Sequence, residues 1–133
     1  MNWLDKVLGG GGPPALEGAP AVRRQKNYAG ESGYAYEYFY EGKREWKQAS
    51  QYCFTVSGDR KTWFETVVEV GHEVWASWGA AHGRELESNE RYAVAKLALF
   101  EAFDGRETPD ALRRPVVVSA AQAEAILEKL GRD

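Results

Sequence analysis

Tyrosines occupy alternate positions in the stretch GYAYEYFYEG: Tyr34, Tyr36, Tyr38 and Tyr40. Residues two apart on an extended strand share a face, so the four phenols form one row. Exposed, such a row stacks planar rings and, with cations beside it, holds single-stranded nucleic acid. Turned inward, it is a core wall whose hydroxyls reach water or a carbonyl at the margin. Cations for the first use stand close by in the chain. Arg23, Arg24 and Lys26 are the compact basic cluster of the N-terminal third, and Lys43, Arg44 and Lys47 follow the row.

Other reactive residue types are sparse. Cys53 is the only cysteine and lies in a strand-like run, with no neighbouring cue for an activated thiolate. His72 and His82 are the only histidines. Glu73, Glu85 and Glu87 are near them in sequence, but no tight ligand spacing of the HExxH or CxxC kind occurs. The GGGG run at 9–12 lacks the GxxxxGK[ST] pattern and follows no strand, so it reads as linker. Glu37, Glu65 and Glu69 could meet across strands as an acid–base pair, but they read better as charges on a solvated sheet face. No catalytic, cofactor or metal residue is assigned, and the chain is read as non-enzymatic.

A chain of 133 residues with 44% hydrophobic and 13% aromatic content suits one globular domain. Its net charge of −3 gives no overall surplus for phosphate binding, which leaves room only for a local patch. One cysteine excludes a disulfide framework within the chain. No run of 18 apolar residues suggests a membrane span, and the N-terminus lacks a signal-peptide pattern. A cytoplasmic location is the expectation.

Residues 1–27 read as an arm. Trp3, Leu4, Val7 and Leu8 share one face of a short amphipathic helix over 1–8, and GGGGPP at 9–14 links it onward. A single α+β domain is expected over 28–133. Strands are expected at 34–41, 50–57, 62–70 and 73–78, joined by short turns into an antiparallel meander. A helix over 88–104 packs on one face of the meander, with Ser88 as N-cap and Gly105 at its close. Thr108-Pro109 opens a further short turn, and Pro115 precedes a VVV strand. Ser119 and Gln122 form the capping pattern of a last helix running to Leu130.

Alternation decides which face is which. The tyrosines, Tyr52, Phe54 and Val56, and Phe64, Thr66, Val68 and Val70 form glutamate-free faces, and the simplest assembly stacks these inward. Glu37, Glu41, Glu65 and Glu69 then point outward with Phe39, Trp63 and Val67. On the 88–104 helix, Tyr92, Ala95, Leu99, Ala102 and Phe103 form a stripe for the sheet. A second apolar side, with Ala93, Val94, Leu97 and Phe100, needs cover too, from the last helix or from a second copy of the chain.

The order of the later strands followed by ERYAVAKLALFEAF is similar to the β-β-β-α order of the double-stranded RNA-binding domain, over about half the chain. The resemblance implies nucleic-acid contact from the start of that helix. Where the family carries a basic cluster, this chain has Glu87, Ser88, Asn89, Glu90 and Arg91.

The leading expectation is a binding or adaptor protein. It would contact another protein through the arm residues Trp3, Leu4, Val7 and Leu8 and through Phe39 and Trp63 on the outer sheet face. The alternative is a nucleic-acid-binding domain. It would use Arg23, Arg24, Lys26, Lys43, Arg44 and Lys47 as its patch, with Tyr34, Tyr36, Tyr38 and Tyr40 stacking on bases.

Overall fold

The computed structural model describes residues 12–132, and the expected arm helix over 1–8 lies outside the described residues. The fold is α+β. A five-stranded sheet has the order β1 (Lys26–Ala29), β2 (Ala35–Trp46), β3 (Ala49–Ser57), β4 (Phe64–Gly71) and β5 (Val116–Val118). Strands β1 to β4 form an antiparallel meander, and β5 joins β4 in parallel. Among the described residues, three helices, α1 (His72–His82), α2 (Ser88–Gly105) and α3 (Ala120–Lys129), complete the core with a 3-10 turn over Pro109–Arg113.

The tyrosine row faces inward. Tyr38 stands opposite Val56, and Tyr40 opposite Phe54. Tyr36 is 0% exposed and stacks on Phe103 of α2 at 4.2 Å, while Tyr34, at the strand entrance, is 37% exposed. Phe54, Val56, Val68 and Val70 continue the same buried face. The glutamate-bearing side faces away from the helices, as alternation requires.

A bulge ends the row. The register shifts between Tyr40 and Gly42, so that Gly42 pairs with Cys53 and Lys43 with Tyr52. One extra residue reverses the facing of everything after it. Lys43 and Glu45 therefore turn toward the inner face, and Arg44 lies opposite Gln51 on the outer one.

The segment 73–78 is helical, not a fourth strand. Val74, Trp75 and Trp78 are the buried residues of α1, and their spacing is that of one helical face. Alanine at 76, 80 and 81 has the highest helix propensity. Gly71 caps the N-terminus in extended conformation, and Gly83 ends the helix at φ 72°, a left-handed position that glycine adopts freely. The first strand of the meander is instead Lys26–Ala29. Tyr28 anchors it by stacking on Phe100 at 4.3 Å and donating to Asp104 at 2.8 Å.

Helix α2 opens with a capping box between Glu87 and Glu90, one residue before the expected Ser88 cap. Its second apolar side is partly covered from within the chain, with Ala93, Leu97 and Phe100 half-buried. Val94 is fully buried, Phe100 lies on Tyr28, and Ile126 and Leu127 of α3 are buried in the same core. Ser119 accepts a hydrogen bond from the Gln122 amide at 3.1 Å, as its N-cap position requires. Arg106 donates to the carbonyls of Ala111, Arg114 and Pro115, which holds the approach to β5.

Residues 12–25 run beside the sheet as a strap. Glu17 and Lys43 exchange backbone hydrogen bonds at 2.7 and 2.8 Å. Arg23 pairs with Glu41 at 2.7 Å and lies 3.7 Å over the Phe39 ring. Among the described residues, no helix is long and apolar enough to cross a membrane.

Glu90 carries a pH-dependent part of the stability. Both ends of the Arg84 guanidinium reach its carboxylate at 2.9 Å, and the Glu87 amide donates to it at 2.9 Å. These bonds hold its carboxyl down at about 2, against an ordinary 4.5. The folded value lies below the unfolded one, so the contribution is complete above about 4.5 and is lost as pH falls from there through about 2. Glu90→Gln should flatten the loss of stability across that window, read as urea midpoints at successive pH values. Identical acid slopes for both proteins would rule this out.

Candidate binding site

Several cavities lie where helix and sheet diverge, one of about 470 Å³ between Lys43, Tyr52 and the start of α2. Two others bring together the residue types singled out above. The first holds about 370 Å³ between the strap, β1, β2 and α2. Tyr38 and Tyr40 project into it from the inner face of β2, and Tyr92 comes from the second turn of α2. These rings form its floor. Pro20, Ala21 and Val22 of the strap form an apolar wall, with Val22 61% exposed. Arg24, Lys26 and Lys96 also line it, and among the described residues the lining contains no carboxylate.

The positions follow from the chain. Arg23 and Arg24 are neighbours in an extended strap, so they point to opposite sides. Arg23 goes to the outer face and pairs with Glu41, while Arg24 lines the cavity. Tyr92 and Lys96 are four apart on α2 and share its flank. Tyr40 and Tyr92 meet with ring centroids 4.8 Å apart, and Tyr38 packs edge-on against Phe54 and Phe100.

Burial pushes the Tyr38 hydroxyl up to about 12 and raises those of Tyr40 and Tyr92 as well. All three are neutral hydrogen-bond donors at neutral pH. Among the described residues, none of the three hydroxyls makes a hydrogen bond to protein, and Tyr92 adds to the upward push on Tyr38 and Tyr40. Arg24 and Lys26 make no ion pair among these residues, and Lys96 contacts the Phe100 ring at 5.8 Å.

The second cavity, about 580 Å³, lies between the β2–β3 hairpin and α1. Glu45 lines it beside His72 and Trp75. Burial favours the neutral acid, but hydrogen bonds from Ser50, Lys43 and His72 outweigh it and keep the carboxyl below its ordinary range. Ser50 donates at 2.7 Å and Lys43 at 3.0 Å, and His72 lies at 2.7 Å. Trp75 in turn donates to Ser50 at 3.1 Å. Arg91 stands 5.3 Å over the Trp75 ring and donates to the Leu86 carbonyl. This cleft is of mixed sign, with Glu85 as a second carboxylate.

No family model, curated protein or solved structure matches this chain. Its residues must supply the functional reading.

The expected nucleic-acid patch is divided among several places. Arg24, Lys26, Tyr38 and Tyr40 meet in the tyrosine cavity. Arg23 is paired with Glu41, and Lys43 with Glu45. Arg44 donates to Gln51 at 2.7 Å, and Lys47 lies over Trp46 at 4.4 Å. Tyr36 is buried under Phe103, and Tyr34 lies by the 58–64 turn and Pro109.

On the outer face, Phe39 and Trp63 do meet, with centroids 5.5 Å apart. Three of the carboxylates on this face are engaged. Glu37 takes Arg60 and Gln25, Glu41 takes Arg23 and Thr55, and Glu69 takes Gln51. Trp3, Leu4, Val7 and Leu8 lie outside the described residues.

Cys53 is buried on the outer face, and burial pushes its thiol up, away from the thiolate. His72 is held by Glu45 and His82 by Glu124, at 2.7 Å each, so the two histidines do not converge. Among the described residues, no group of three or more His, Cys, Asp or Glu is placed to hold a metal.

Tyr92 and Lys96 are the site residues that sequence reasoning leaves out. Periodicity assigns Tyr92 to the helix stripe against the sheet. Its hydroxyl end and the lysine four residues on were the available signal.

Proposed function

We propose that this chain is a non-enzymatic binding protein and that its site is the tyrosine cavity, taking a ligand with a negative charge on an apolar body. One observation carries the reading. Arg24, Lys26 and Lys96 surround a floor of three aromatic rings, with no carboxylate in the lining among the described residues. Surface cations commonly find an acidic neighbour in a chain with 20 acidic and 17 basic residues, as Arg23 and Lys43 do. A cation-rimmed apolar concavity is the general form of a site for small anions.

Benzenesulfonate tests the reading with the simplest such ligand. A ligand that binds only the folded state raises its stability by about 2.7 kcal/mol at one hundred times its dissociation constant. Benzenesulfonate should raise the melting temperature progressively, and benzyl alcohol or sodium sulfate at equal concentration should do so far less. Equal effects from all three would contradict the proposal.

A second reading, contact with a basic or amphipathic protein segment, draws on the Phe39–Trp63 pair on the helix-free face. The exposed Glu65 lies on β4, opposite Thr55 of β3 and through it in line with Phe39 of β2. Trp63→Ala would remove such contact and leave the tyrosine cavity intact.

A further inference from the structure

We infer that the tyrosine cavity takes a ring-bearing phosphate monoester, a mononucleotide, with its base on the tyrosine floor and its phosphate among Arg24, Lys26 and Lys96. The inference rests on the reading of this cavity as the binding site and names the ligand class.

The donor count separates phosphate from carboxylate. Three cationic side chains line one concavity with the half-buried phenols of Tyr40 and Tyr92, and Tyr38 lies buried beneath them. A carboxylate offers two oxygens and one charge. A phosphate monoester offers three strong acceptor oxygens and close to two charges at neutral pH, which matches this set more fully.

Shape argues for a planar body. The apolar lining comes from tyrosine rings and the short side chains of Pro20, Ala21 and Val22, not from a deep aliphatic channel. Aromatic faces of this kind stack bases without regard to sequence. At about 370 Å³ the cavity is near the lower end for small-molecule sites, which suits one nucleotide.

An extended strand or a duplex fits less well. The cations that would track further phosphates are already committed: Arg23 to Glu41, Lys43 to Glu45 and Arg44 to Gln51. The larger cleft near Glu45 and Glu85 offers carboxylates where a phosphate would have to sit.

The nucleotide has two sources, a free mononucleotide or the phosphorylated end of a single strand. Calorimetry on the full chain distinguishes them, with adenosine 5′-monophosphate, adenosine, inorganic phosphate and a 5′-phosphorylated hexamer of deoxyadenosine as probes. The monophosphate should bind at least tenfold more tightly than adenosine and than inorganic phosphate. Arg24→Gln and Lys96→Gln should each weaken it about fivefold or more at unchanged melting temperature, and Lys47→Gln should not.

A hexamer that binds as tightly as the monophosphate assigns the site to strand ends. One that binds tenfold more weakly assigns it to free nucleotide. A monophosphate no tighter than adenosine, or indifferent to both cavity variants, overturns the inference. If benzenesulfonate still binds in that case, the binding reading survives and only the ligand class fails. If no aryl anion binds, both fail.

Discussion

Phe103→Ala is expected to lower the unfolding free energy by about 3–5 kcal/mol, the usual cost of deleting a buried phenylalanine ring. Phe103 is fully buried near the C-terminus of α2. Its ring lies parallel to Tyr36 at 4.2 Å and within 5.7 Å of Tyr28, 6.0 Å of Tyr38 and 6.3 Å of Phe100. These contacts join β1 and β2 to α2 in one aromatic cluster. The backbone cannot easily collapse onto the gap, because its approach to Gly30 is already close. A Cβ at Gly30 would stand 2.8 Å from the Phe103 carbonyl oxygen. Domains of this size have only about 5–15 kcal/mol in hand. A fall in the urea midpoint at unchanged slope would register the loss. A change below about 1 kcal/mol would contradict the packing described for the tyrosine row.

Gly42→Ala should detach the strap. Gly42 sits at the bulge with φ 125°, where an L-residue is strained by about 1–3 kcal/mol. An added Cβ would also stand 2.8 Å from the Glu17 carbonyl oxygen and 3.2 Å from the Leu16 Cβ. The strap must move away from the edge of β2, and Pro20, Ala21 and Val22 would leave the cavity with it. The variant should therefore lose stability and also lose benzenesulfonate binding. Gly33→Ala is the matched control. It has φ 99°, but nothing lies within 4 Å of its Cβ position. It should carry a similar backbone cost and retain the cavity. Amide exchange over 16–25 should rise in the first variant and not in the second. Equal binding in both would show that the strap is no part of the site.

The orientation of the sheet was legible in the sequence because it depends only on alternation. Glutamates at 37, 41, 65 and 69 mark one face of their strands and the tyrosines mark the other, and no other stacking buries less charge. The β3 strand and the last helix were legible for similar local reasons: an alternating apolar run and a Ser119–Gln122 cap. Segment 73–78 was not. EVWASW alternates well enough for a strand, and its helical state shows only when Trp75 and Trp78 are read together with the alanines and the Gly83 stop. The short β1 was hidden because KNYA carries one large apolar residue, and its place is fixed by Asp104 and Phe100, more than 70 residues away. The cavity was half legible. Arg24, Lys26, Tyr38 and Tyr40 were marked as cations and rings, but which cations keep company with the rings depends on strap geometry and on the bulge at Glu41–Gly42. Tertiary placement separated Arg23 from Arg24, and no local pattern encodes that.

Fluorotyrosine incorporated at all seven tyrosines gives the most direct test of where the ligand sits. Fluorine resonances would be followed during titration with adenosine 5′-monophosphate. The Tyr38, Tyr40 and Tyr92 signals should move together and saturate at one concentration, with Tyr34 unchanged at the far end of the row. Movement of Tyr34 alone, or of Tyr52 in the cavity by Leu86 and Arg91 without the cavity three, would place binding elsewhere and contradict the account.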